Sequence, residues 1–158
     1  MGLLDSIEKH CHKNNVENEA ISSFFKSGFP TTKNEEWKYT SLKKVVSEDY
    51  QINKEEAEIT NEEIKKQSLN IGDKIVFING FLHKKPNIKG VTIENNFFEN
   101  LSFEDPITAL NSGLAEHGFK ISIDKNVVVE SPIEILFLNK YNSNSFVQFR
   151  NKIILNEN

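Results

Sequence analysis

Apolar residues recur at helical spacing through the first third of the chain and then shift to short strand-like runs. Leu4, Ile7 and Cys11 fall on one face of a short first helix. A second helix is predicted over 16–27, where Val16, Ala20 and Phe24 share a face and Ile21 and Phe25 lie beside it. Gly28 stands where a left-handed C-cap belongs, and Pro30 blocks continuation. Thr32-Lys33-Asn34-Glu35 has the form of a capping box, a hydroxyl followed three residues later by a carboxylate. It places Trp37 in a new turn, with Tyr39 and Leu42 nearby. A further capping box, Thr60-Asn61-Glu62-Glu63, opens a short polar helix around Ile64. The charged stretch 47–58, poor in apolar residues, reads as a linker or mobile loop.

The run Ile75-Val76-Phe77-Ile78 ends at Asn79-Gly80, a strong turn signal, and Phe81-Leu82-His83 resumes after it, so a hairpin is predicted. Another strand is predicted at 91–93. One helix interrupts the strands at about 105–117: Asp105 suits the N-cap and Pro106 the first helical position. Ile107, Leu110 and Leu114 form its stripe, and Gly118 closes it. Strands are then predicted at 119–123, 127–129, 133–138, 146–149 and 152–155. Within 133–138, Ile133, Ile135 and Phe137 alternate with Glu134 and Leu136. Glu134 alone breaks the apolar set, so that strand should be covered on much of both faces. The chain ends at Asn156-Glu157-Asn158 directly after a strand, which reads as an unfinished, truncated β-structure. Two regions result: a helical one at 1–70 and a strand-rich one at 71–158 carrying the inserted helix.

Composition limits what this pattern supports. Hydrophobic residues make up only 37% of 158, but twelve are Phe, and one phenyl ring buries far more area than a valine. The net charge of −4 and the isolated pairs Lys43-Lys44, Lys65-Lys66 and Lys84-Lys85 give no basic face for nucleic acid. A single cysteine, Cys11, makes no intrachain disulfide and fits a reducing compartment. Met1-Gly2-Leu3-Leu4 is followed at once by charges, so no signal peptide is read, and Gly2 alone is weak evidence for myristoylation. No apolar run is long enough to span a bilayer. A soluble cytoplasmic protein is expected.

His10-Cys11-His12 is the most tempting cluster, since both residue types ligate zinc or iron. Adjacent helical residues point about 100° apart, so three in a row do not chelate one ion on a helix. A metal site there needs an unwound segment or a second chain, and Cys11 reads as core. His83 and His117 are isolated, and His117, next to Gly118, reads as a cation at a helix C-terminus. Glu35-Glu36 is explained as a cap and dipole complement. Trp37 and Tyr39 offer stacking surface for a base or sugar, but read more naturally as anchors between the helical and strand-rich parts. No nucleophile triad and no phosphate loop is present. The residues alone thus describe an α+β chain of binding or scaffold type. The enzyme-like alternative is a stand-alone cupin-like domain holding a metal or small ligand. That fold calls for several His and a Glu on neighbouring strands, whereas the strand-rich half holds only His83 and His117.

Four segments in order resemble the SufB/SufD family, and its SufD branch most. The first runs Gly28-Phe29-Pro30-Thr31-Thr32-Lys33-Asn34-Glu35-Glu36-Trp37-Lys38-Tyr39-Thr40-Ser41-Leu42 and is highly specific. The others are Ile75 to Phe81 with its Asn79-Gly80 turn, the run from Ala109 through Asn111 to Gly118, and Ser131-Pro132-Ile133-Glu134-Ile135-Leu136-Phe137. His117 departs from the pattern, where an acidic or small residue is usual. The resemblance implies a helical N-terminal region leading into the first rungs of a right-handed parallel β-helix. An open rung end of that kind suggests self-association. It also implies a non-catalytic scaffold of iron–sulfur cluster assembly, partnered by SufB and by SufC, the ATPase that uses the ATP. The resemblance places no catalytic, cofactor-binding or metal residue in this segment. Trp37, Tyr39 and Asn111 match its motifs as structural positions.

Overall fold

A computed structural model describes residues 2–52, 57–95, 104–140 and 144–157. In chain order the elements are α1 (Leu3–Asn14), α2 (Glu19–Ser27), a single 3₁₀ turn (Glu35–Trp37), α3 (Lys43–Ser47), β1 (Gln51–Ile52) and α4 (Asn61–Gln67). There follow β2 (Asp73–Ile78), β3 (Phe81–Lys84), β4 (Val91–Asn95), α5 (Pro106–Leu114), β5 (His117–Ile123), β6 (Ile133–Leu138), β7 (Ser145–Phe146) and β8 (Phe149–Leu155). They form two compact units: Met1–Asn53 with Glu99–Ala115 and Ser143–Gln148, and Lys54–Phe98 with Glu116–Asn142 and Phe149–Asn158.

The first unit is built on α1, α2 and α5. Its core is Leu3, Ile7, Cys11, Ile21, Phe24, Ala109, Leu110 and Leu114. The buried face of α1 is set by Leu3, Ser6, Ile7 and Cys11, so the predicted stripe is rotated and Leu4 is left on the surface. α2 begins at Glu19, three residues after the predicted start, and is capped by Asn18, whose side chain accepts from the Ile21 amide. The same Asn18 side chain donates to Gly113 O on α5 at 3.1 Å. The two helices approach so closely that a Cβ on Gly113 would lie 2.9 Å from Ile21 Cβ. Gly28 does take a positive φ of 68°, but with ψ at −172° rather than in the left-handed helical well. β1 and β7 pair in parallel, so the predicted loop at 47–58 contains the end of α3 and a strand; its residues 53–56 lie outside the described set.

The second unit holds two three-stranded sheets, ordered β3-β2-β6 and β4-β5-β8. Each joins one antiparallel pair to one parallel pair. Phe77 lies at the centre of the core between them, 5.6 Å from Phe119 and 5.2 Å from Phe137, with Phe149 set edgewise to both Phe77 and Phe137. Ile75, Ile93 and Ile121 complete this core. α4 covers the other face of β2, where Ile64 packs with Val76 and Ile78. The Thr60 capping box forms as predicted.

The expected rungs of a right-handed parallel β-helix are overturned. The sheets are small and mixed, and none is closed or strongly curled. The reason is local: the Asn79-Gly80 turn reverses the chain into β3, and β4 returns antiparallel along β5, whereas a coil needs successive parallel rungs. Self-association expected from an open coil end loses its premise with it.

Three further expectations change. The inserted helix stops at Leu114, and His117 and Gly118 belong to β5, so neither caps a helix. A Cβ on Gly118 would collide with Arg150 O, which shows how closely β5 and β8 approach there. The run 127–129 forms no strand, because Asp124–Val127 closes a turn with Asn126 at φ 61°, and Val128 is exposed. Thr32 makes no capping box. Asn34 instead accepts from the Thr31 amide at 2.9 Å, since its short side chain reaches back over the turn.

Two glutamates tie the second unit together. Glu134 is buried on β6, accepts from Ser68 Oγ at 2.7 Å and from the Leu69 amide at 2.7 Å, and lies 4.0 Å from Lys74 Nζ. These partners, the Ser68 hydroxyl foremost, hold its carboxyl below the ordinary 4.5. Glu63 accepts from the Thr60 amide at 2.8 Å and from Lys140 Nζ at 3.1 Å, and its pKa falls to about 2. Lys140 is itself held by Asn79, whose side chain accepts from the Lys140 amide at 2.7 Å and donates to its carbonyl at 3.0 Å.

Because the folded-state pKa of Glu134 lies below 4.5, its ionised form stabilises the fold above that pH, and the contribution is lost as pH falls through the folded value. The unfolding midpoint of the Glu134→Gln chain is therefore expected to fall less between pH 4.5 and lower pH than that of the parent, read by urea titration at each pH. A Gly113→Val substitution is expected to cost about 1–3 kcal/mol in the same assay, by forcing α2 and α5 apart.

Candidate functional site

The specific segment 28–42 is held at both ends and exposed between them. At its start Phe29 meets Phe24 of the core edgewise at 4.9 Å, and Pro30 is buried. Beyond its end, α3 brings Val46 against the start of α1, where a Cβ on Gly2 would lie 2.7 Å from Val46 O. Ser6 then fastens the chain that follows: its hydroxyl is 2.6 Å from Asp49 Oδ1 and accepts from the Tyr50 amide at 3.1 Å. Ser6 was not singled out in the sequence. Its signal was its place on the face shared by Leu3 and Ile7, where a buried hydroxyl requires a partner.

Between these anchors the backbone makes successive 3₁₀-type bonds, from the Trp37 amide to Asn34 O, from Lys38 to Glu35 O and from Thr40 to Trp37 O. Side chains two apart in such a turn point in different directions. Trp37 is accordingly half-buried, while Tyr39 is 93% exposed. Tyr39 is thus no packing anchor, contrary to expectation. Lys38 pairs with Glu35 at 3.7 Å and lies 5.7 Å from the centre of the Tyr39 ring, an exposed cation–π contact.

Two clefts flank this segment and share Pro30. One, of about 280 Å³, takes apolar lining from Phe29, Pro30, Leu42 and Val46, hydroxyls from Thr31, Thr32 and Ser41, and one charge, Lys43. The other, of about 420 Å³, places Trp37 among Glu35, Glu36, Glu104 and Asp105. Asp105 is engaged in capping α5, accepting from the Ile107 and Thr108 amides at 2.8 and 3.0 Å. A third cleft, of about 540 Å³, lies in the second unit beside the Glu63–Lys140 ion pair and Phe137.

The residues considered for chemistry do not converge. Cys11 is buried, and burial pushes its thiol above the ordinary 9.0. His10 and His12 lie on other faces of α1, and the Asn14 amide donates to His10 O at 2.9 Å. His83 is exposed on β3, and His117 packs on Phe81 with ring centres 4.6 Å apart. Asn111 donates to Gln148 Oε1 at 2.9 Å, a structural contact within the first unit. Among the described residues no group of three or more His, Cys, Asp or Glu is placed to hold a metal ion. No helix among them is long and apolar enough to cross a membrane.

A family model described as the SufBD protein N-terminal region matches residues 4–89, just over half of the chain. The chain belongs to this family. The match spans α1 to β3, including the anchored segment, both of its flanking helices and the Asn79-Gly80 turn, and it is common to SufB and SufD. No curated protein matches the chain.

Ser6→Ala leaves the Tyr50 amide without its acceptor and is expected to cost about 1–3 kcal/mol. Tyr39→Ala is expected to change stability by less than about 0.5 kcal/mol, as for an exposed side chain. Urea unfolding of the two variants separates anchor from exposed surface.

Proposed function

We infer that the chain is a non-catalytic scaffold subunit of iron–sulfur cluster assembly in a reducing cytoplasm, of the SufD type, acting with SufB and with SufC as the ATPase. The family match over 4–89 carries this reading. It is supported by the character of the segment that first suggested the family: an anchored, exposed, aromatic and charged strip, suited to recognising another surface. Phe24, Phe77 and Phe119 are buried in small cores, and cores of that size fit a protein whose surface is its working part. In this reading hydrolysis of ATP belongs to the partner.

The test is co-purification from cells expressing the affinity-tagged chain with SufB and SufC from the same source. A stable complex containing both is the expected result. Recovery of the chain alone, under conditions where SufB and SufC associate with each other, would count against the scaffold reading.

A further inference from the structure

We propose that the two clefts beside the 28–42 segment form one docking site for an extended segment of a partner protein, in which an apolar side chain sits next to a carboxylate and is followed by a lysine or arginine. The proposal rests on the scaffold reading for its context and adds the chemistry of the occupant. The apolar cleft is large enough for one Leu- or Phe-sized side chain, and Phe29, Pro30, Leu42 and Val46 line it. Its one charged lining residue is Lys43, which is exposed, so the complement to its edge is a carboxylate.

Across Pro30 the charge reverses. The second cleft sets the Trp37 indole among carboxylates, with Glu35 and Glu36 from the segment itself. An aromatic face beside carboxylates suits a guanidinium or ammonium group. A partner reading both clefts would therefore carry acidic and apolar character at one end and basic character at the other. This polarity fixes the direction in which it lies. The walls are preformed: Phe29 is packed on Phe24, and the backbone at Val46 lies against Gly2, so little ordering is needed on binding. In the chain between Trp37 and Ser41, exposed Tyr39 offers the kind of side chain that dominates interface energetics.

The test is panning of a random-peptide library on the immobilised full chain, followed by fluorescence anisotropy of enriched peptides against variants. Enriched sequences are expected to join Leu or Phe to Asp or Glu, with Lys or Arg further along. Leu42→Asp and Lys43→Glu are each expected to weaken binding about tenfold or more. Glu36→Lys is expected to weaken only peptides that carry the basic residue. Lys43 is exposed, so Lys43→Glu remains readable by circular dichroism and binding even where Leu42→Asp fails to fold. Three results would overturn the proposal: no enrichment of this composition, binding indifferent to Lys43→Glu, or a dimer in sedimentation that Leu42→Asp dissolves, which would assign the groove to a second copy. None of these involves SufB or SufC, so failure here leaves the scaffold reading to be judged by co-purification alone.

Discussion

The hydroxyl of Ser6 settles where the chain goes after α3. It is the buried polar atom on a helix face otherwise made of Leu3, Ile7 and Cys11, and it meets both the Asp49 carboxylate and the Tyr50 amide. A buried hydroxyl left unpaired costs more than its hydrogen bond returns, so the two partners hold each other in place. With that junction closed, Tyr50 and Ile52 pack on the helical core and Gln51–Ile52 pairs with Ser145–Phe146. The exposed strip between Pro30 and Val46 then becomes a loop of fixed ends, not a tether.

The rest of the architecture follows from scarcity. With 37% hydrophobic residues the chain does not fill one broad core. It concentrates phenyl rings and isoleucines into compact clusters, and several of its buried polar groups are met by distant partners. Asn18 bridges α2 to α5, Asn79 grips Lys140, and Glu134 collects Ser68 and Leu69. Each contact joins residues more than sixty positions apart or closes the gap between elements of different kind. Polar side chains therefore specify which elements meet, while the apolar clusters supply the buried area.

Local signals were legible in the sequence where chemistry is local. The Thr60 and Asp105 caps, the Asn79-Gly80 turn and the strand at Ile133–Leu138 are visible because a cap or a tight turn is decided by three or four neighbours. The rotation of α1 was not, since Leu3 and Leu4 are equally apolar and only Ser6 with its distant partner Asp49 decides between them. The coil of parallel rungs failed for a related reason: strands at 75–78 and 133–138 do pair in parallel, and the turn into β3 was readable, but nothing near β4 announces that it returns antiparallel along β5. At the candidate site Trp37 and the glutamates stood out from residue type. Phe29, Lys43 and Val46 did not, because a groove is made by chain segments that return to one place.

The grip of Asn79 on Lys140 also bears on chemical ageing. An asparagine followed by glycine is the dipeptide most prone to lose its amide, through attack of the next backbone nitrogen on the side-chain carbonyl. Here that carbonyl accepts from the Lys140 amide, the amide group donates to the Lys140 carbonyl, and the residue is 1% exposed. Attack, with loss of ammonia, requires the side chain to swing out of this double contact, and water then opens the imide. Succinimide formation at Asn79 is thereby coupled to opening of the hairpin end, so accumulated isoaspartate at this position would serve as a clock for how often this part of the chain has come undone.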